Sequence, residues 1–247
     1  GYMLFKGFFN EQEIAPICDV ITKFHLAWQA DNQEFYTKRA VNSAYLTSKK
    51  YLNDEDRNIL FQFISTHKLI DVVTQMPMIK VAFMNTQLFF NPVNLSQKNY
   101  WHRDPQYHLS LEEQQQALAG PEVLHFRIAL TDEPGIELIP RTHKCWDSEE
   151  ELNVRLEQVG KSNYNDISTG VVVPLNKGDL LVFSANMIHR GLYGKDRLSL
   201  DVLFCEAEES LVNFVDADCL PDKDVINNLQ QPIAFNNTLA IKNSSET

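Results

Sequence analysis

Tyr100-Trp101-His102-Arg103-Asp104-Pro105-Gln106-Tyr107 is the stretch on which the reading of this chain turns. On an extended strand, alternate side chains point to the same face. His102 and Asp104 therefore aim at one point, and Arg103 faces away. Far downstream, His189 ends the apolar run that begins at Leu180. Two histidines and one carboxylate on one side of a metal leave the opposite coordination positions open. That set is the usual one of non-haem Fe(II) oxygenases. The pattern predicts a metal site made of His102, Asp104 and His189.

The residues around these ligands carry a family resemblance. The 100–107 stretch resembles the WHxDxxY segment of the phytanoyl-CoA dioxygenase-like family. Ile128-Ala129-Leu130-Thr131-Asp132, followed by Gly135 and by Ile139-Pro140-Arg141-Thr142-His143-Lys144, resembles its IALDD…G…IPGSHK segment. Gly178-Asp179-Leu180-Leu181-Val182-Phe183 resembles its GDLxxF strand. The matching segments lie in the right order over roughly residues 80 to 206, which chance rarely produces. The resemblance implies a mainly β fold with flanking helices around a double-stranded β-helix (jelly-roll, cupin-like) core. It also implies Fe(II), 2-oxoglutarate and hydroxylation of a small molecule, with release of succinate and CO2. Halogenating relatives lack the carboxylate that Asp104 supplies here, so hydroxylation, another oxygen-rebound outcome or desaturation is expected.

Arg197 follows His189 by eight residues. A hairpin closed at Gly194 places both on one inward face. An inward arginine needs an anion, because an unpaired buried charge is very costly. Its planar fork suits a carboxylate bound through two hydrogen bonds. As the resemblance implies, Arg197 is the expected seat of the far carboxylate of 2-oxoglutarate, with the hydroxyl of Ser199, of the same parity, beside it, unless Arg197 forms an internal salt bridge to Asp179 or Asp201.

The chain departs from the family pattern at several points. Asn91 stands where a lysine is frequent, and Gly191 where a serine is frequent. Arg127 replaces a tryptophan, and Arg141 lies in the segment that usually reads PGSH. Asn91 and Arg127 are accordingly candidate cosubstrate contacts. Arg127 shares parity with Ala129 and is expected to face the cavity. With Arg141 it would read an anionic substrate, unless it pairs internally with Asp104 or Glu137. Arg103 and Arg190, one step from the ligands, are expected to point outward. His25 and His67 fall in helical segments, His108 follows Pro105, His125 is on a strand that borders the cavity, and His143 has an orienting role in a loop.

The net charge of −11 argues against nucleic acid as a main partner, which needs a basic footprint. No run reaches the ~18 apolar residues of a membrane span. The first six residues carry no charged leader, so no signal peptide is expected. Cys18, Cys145, Cys205 and Cys219 show no C-x-x-C spacing and read as free thiols in a reducing, cytoplasmic setting. The sequence specifies no oligomeric state.

A single domain over 1–247 is expected, with an N-terminal helical region (1–78), the β-core (79–206) and an acidic C-terminal extension (207–247). Asn10 and Glu13 form a capping box for a helix over 11–30, and a second helix is expected over 53–70. Strands are expected at 79–90, 100–108, 123–131, 135–139, 170–174, 180–184, 187–192 and 198–205, as short apolar runs between turn residues. Polar insertions at 110–119 and 147–159 read as helices, the first bordering the cavity mouth as a candidate lid. Segments 211–215 and 233–241 are apolar enough to pack back, and the last five residues are expected to be loose. Two other classes fit the same ligands: a cupin-like metalloprotein that consumes no oxygen, and an oxygenase acting on a protein side chain.

Overall fold

Leu124, Phe126 and Ile128 alternate with His125, Arg127 and Ala129, and this alternation sets the two faces of the central sheet. The computed structural model describes residues 1–245. Its strands are β1 (Tyr2–Phe5), β2 (Asn42–Ala44), β3 (Val81–Phe90), β4 (Val123–Ala129), β5 (Glu133–Leu138), β6 (Val171–Leu175), β7 (Leu180–Ser184), β8 (His189–Gly191) and β9 (Leu198–Glu206). Among the described residues, six strands form one sheet in the order β1-β7-β4-β9-β3-β2, and three form another, β6-β5-β8. All the pairings are antiparallel.

The helices are α1 (Glu11–Asp31), α2 (Gln33–Lys38), α3 (Asp54–Ile64), α4 (His67–Thr74), α5 (Leu111–Ala117), α6 (Glu149–Arg155), α7 (Glu209–Val212), α8 (Lys223–Ile226) and α9 (Ile233–Ser245). On its outer face the large sheet presents Leu124, Phe126, Ile128, Leu200, Val202 and Phe204 to the apolar sides of α1, α3, α4 and α9. Full burial of each such side chain is worth about 1.5–3 kcal/mol. On its inner face Ala129, Leu181 and Phe183 meet Ile136, Leu138 and Val173 of the small sheet. Beyond this apolar plug the inner face turns polar, and the site lies there. No helix among the described residues is long and apolar enough to cross a membrane.

Several expectations change. The 100–108 segment is not a strand: His102 makes a single bridge to His189, and Asp104–Tyr107 form a 3-10 turn. Pro105 explains this, since it has no N–H for a ladder and its fixed φ suits a first helical turn. The N-terminal region contributes β1 and β2 to the large sheet as well as helices. The 53–70 helix breaks at Ser65 and restarts at Thr66, whose hydroxyl accepts from the Leu69 N–H at 3.4 Å. The 233–241 segment packs back as expected: Thr238 and Asn237 donate to the carbonyls of Phe83 and Val81 at 2.8 and 2.7 Å. Helix α9 runs to Ser245, so of the five residues expected to be loose only Glu246 and Thr247 lie outside the described residues.

Candidate active site

His102 and His189 exchange both backbone hydrogen bonds, each at 3.0 Å. Residues paired this way stand directly opposite, with side chains on one side, and their rings lie 4.3 Å apart. The Asp104 N–H donates to the Ala185 carbonyl at 3.1 Å, which brings its carboxylate to the same spot. Asp104 Oδ1 lies 3.4 Å from His102 Nε2 and 3.6 Å from His189 Nε2. The three candidate ligand atoms fall within 4.8 Å of one another.

Each ring is held in one tautomer. The His102 Nδ1–H donates to the Tyr100 carbonyl at 3.2 Å, and the His189 Nδ1–H to that of Met187 at 2.8 Å. A carbonyl only accepts, so each Nε2 keeps its lone pair for a metal. Burial and the neighbouring His102 push His189 down to about 3, which keeps it neutral and ligand-competent.

Behind the ligands runs a buried polar chain that sequence reasoning missed. His125 Nε2–H donates to Asp104 Oδ2 at 2.7 Å, and its Nδ1–H to Asp201 Oδ2 at 2.9 Å. Asp201 also accepts from Arg127 Nη2 at 2.7 Å and Nε at 3.1 Å. Only an imidazolium donates from both nitrogens. Burial works against that charge, but Asp201 and Asp104 outweigh it and push His125 up to about 9. Burial likewise opposes the Asp104 charge, and the histidines outweigh it, holding the carboxyl well below the usual range. The expectation that His125 borders the cavity was the available signal. Its link to Asp201 is set by cross-strand register, in which His125 stands opposite Leu203 and Arg127 opposite Asp201.

The turn that carries Asp104 is clamped from outside. Arg103 faces away from the cavity as expected, but it is buried rather than solvated. It binds Asp147 through Nε at 3.0 Å and Nη2 at 2.8 Å, and also donates to the carbonyls of Thr142, Cys145 and Asn186. Arg155 joins Asp147 to Gln106 and Gln114, so α5 and α6 brace the turn together. Arg190 is also buried, between Glu137 and Asp166.

Arg197 shares the cavity with the candidate ligands. It is 3% exposed, and its Nε and Nη2 are buried without a hydrogen-bond partner. The nearest carboxylate, Glu133, stays 4.0 Å from Nε. Burial pulls Arg197 down to about 10 against the pull of Glu133, so it remains a cation near neutral pH. A Cβ on Gly191 would come within 2.6 Å of Arg197 Nη2, so the missing side chain at 191 is what makes room for the guanidinium.

The four other expected contacts, Ser199, Asn91, Arg127 and Arg141, are otherwise engaged or placed. Ser199 is fully buried and its hydroxyl donates to Glu133 Oε2 at 2.7 Å, so its proton is committed. Asn91 holds the hairpin beyond β8: its side chain donates to the Lys195 carbonyl at 2.6 Å and accepts from Gly194 N–H at 2.9 Å. Arg127 lines the cavity but is neutralised by Asp201 and stacked 3.9 Å over the Phe89 ring. Arg141 is exposed. The ground for an anionic substrate disappears with these two findings.

The ligands open on a cavity of about 760 Å³, within the usual range for small-molecule sites. Leu109 and Ala117, at the two ends of the 110–119 insertion, and Leu211 and Phe214 of the C-terminal segment form part of its wall.

This combination of fold and ligand set defines the class. The phytanoyl-CoA dioxygenase family pattern matches residues 1–193, more than three quarters of the sequence. The chain belongs to that family, one of iron- and 2-oxoglutarate-dependent oxygenases acting on small molecules. No curated protein matches the sequence. Among solved structures, EctD from S. alaskensis with 2-oxoglutarate and 5-hydroxyectoine is 14% identical with a TM-score of 0.58, over 95% of this chain and 79% of that one. AviO1 from Streptomyces viridochromogenes Tue57 is 16% identical with a TM-score of 0.55, over 83% of this chain and 90% of that one. At these identities the likeness is one of fold.

Proposed function

We propose that this protein hydroxylates a small molecule with Fe(II) and 2-oxoglutarate, on a double-stranded β-helix core whose two faces are the two antiparallel sheets. The observation that carries the reading is the pairing, in one cavity, of an open His-Asp-His set with a buried arginine whose Nε and Nη2 lack hydrogen-bond partners. The donor chemistry fits both groups: two imidazoles and a carboxylate suit Fe(II), and the unpartnered Nε–Nη2 edge of a guanidinium suits a carboxylate.

His102, Asp104 and His189 would hold the metal, and Arg197 would receive the far carboxylate of 2-oxoglutarate. When bound, these groups supply the oxidation, which places one oxygen atom in a substrate C–H bond and yields succinate and CO2. The chain contributes position and dryness. His125 fixes which carboxylate oxygen of Asp104 faces the metal. Phe183 stacks on His125 at 4.6 Å and closes the back of the site. The cavity volume of about 760 Å³, usual for a small-molecule site, favours a metabolite over a protein side chain.

Anaerobic addition of Fe(II) and 2-oxoglutarate should give the visible charge-transfer absorbance of a chelated cosubstrate, and oxygen should then release succinate. Wild-type-like iron binding in a His102→Ala, His189→Ala double variant would overturn the ligand assignment. Metal binding without succinate would move the chain to the metalloproteins that consume no oxygen.

A further inference from the structure

Most of the polar surface of the cavity already has a role. The three ligands face the metal position and Arg197 faces the cosubstrate. Arg127 is paired with Asp201. Burial raises the phenols of Tyr107 and Tyr193, so they stay neutral.

A set of carboxamides remains. β3 alternates, so Asn85, Gln87 and Phe89 share its inner face, opposite Leu203, Asp201 and Ser199 of β9. Asn42 of β2 stands opposite Phe89. Among the described residues, the side-chain amides of Asn42 and Gln87 make no hydrogen bond, and Asn85 uses only its carbonyl oxygen, on the Thr86 N–H at 2.8 Å. All three line the cavity, beside the apolar walls of Met84, Phe89 and Leu203.

Charge balance points the same way. Counted formally, the metal with Arg197, Arg127 and His125 carries five positive charges, and Asp104, Asp201, Glu133 and a dicarboxylate cosubstrate carry five negative ones. A charged substrate would enter without a counter-ion, which is costly wherever its charge is buried. A carboxamide both donates and accepts, so it suits a carbonyl, amide or hydroxyl.

Resting on the oxygenase reading, we propose that the primary substrate is an uncharged molecule with a largely apolar body. Its carbonyl, amide or hydroxyl groups are read by Gln87, Asn85 and Asn42. These side chains select the substrate and take no part in the oxidation.

The test uses probes that share one skeleton: naphthalene-2-carboxamide, 2-naphthoate and 2-naphthylmethylammonium. Calorimetric binding is measured on the full chain, anaerobically, with Fe(II) and 2-oxoglutarate and again with neither. The carboxamide should bind at least about tenfold tighter than either ion, as expected when a buried charge goes unpaired. Gln87→Ala should erase that preference at an unchanged melting temperature, and Gln87→Glu should shift it toward the ammonium. Asn42→Ala, on the short edge strand β2, gives a second reading should Gln87 variants misfold. Tightest binding of naphthoate or of the ammonium by the wild type would overturn the proposal. So would failure of the carboxamide to bind, or a preference that survives both alanine variants. A failure of the oxygenase reading looks different: the iron–cosubstrate absorbance is lost while discrimination among the probes persists.

Discussion

His125 holds the carboxylate of the candidate ligand Asp104 with one nitrogen and a buried acid with the other. Removing it leaves Asp104 free to turn and Asp201 with Arg127 alone. Partners of this kind typically account for 10–100-fold in metal affinity. His125→Ala should weaken Fe(II) binding by about that factor in a competition titration, and wild-type affinity would reduce His125 to a packing role. Gly191 makes a different point. A methyl there collides with the end of a flexible side chain, so the fold tolerates it while the guanidinium is displaced. Gly191→Ala should keep the melting temperature and lose about 10–100-fold in 2-oxoglutarate affinity, the value of one charge-assisted hydrogen bond of ~1.5–3 kcal/mol. Equal affinity in the variant would mean that Arg197 has room to spare. That His102, Asp104, His189 and Arg197 share one cavity was legible because parity and motif spacing act over a few residues. The roles of Arg127, Ser199 and Asn91 were misread because their partners, Asp201, Glu133 and the 194–195 backbone, are set by long-range register.

Among the elements, strands read well where apolar residues alternate or run together, as in β3, β4, β7 and β9. They read poorly where only three or four residues pair, as in β1 and β2, which owe their state to the sheet edge they join. For helix α9 the apolar residues were signal enough: segment 233–241 was expected to pack back, and Phe235 lies 4.8 Å from Phe83 and 5.5 Å from Phe61. Phe235 is 1% exposed, so Phe235→Ala should cost about 3–5 kcal/mol in urea unfolding. A loss below ~1 kcal/mol, typical of surface sites, would show that α9 is dispensable to the core.

Across the whole molecule, the cysteine reading can be tested directly. Cys205 and Cys219 are buried and free, Cys18 is half-buried and Cys145 is exposed. Burial, aided by Glu206 and Asp216 respectively, pushes Cys205 and Cys219 up to about 12. Both therefore stay neutral thiols in the fold. Their contribution to stability is complete below the ordinary thiol value of 9.0 and is lost as pH rises toward about 12. Native alkylation near pH 8 should label Cys145 first and leave Cys205 and Cys219 untouched until denaturant is added. Rapid native labelling of either buried thiol would contradict the packing around β9 and the 217–219 turn.

The cavity wall at Leu211 and Phe214 carries an implication for engineering. The three candidate ligands and Arg197 all precede it along the chain. Residues 207–214 can thus be recast while all four candidate site residues keep their places, which makes that short segment a natural place to vary the shape of the cavity.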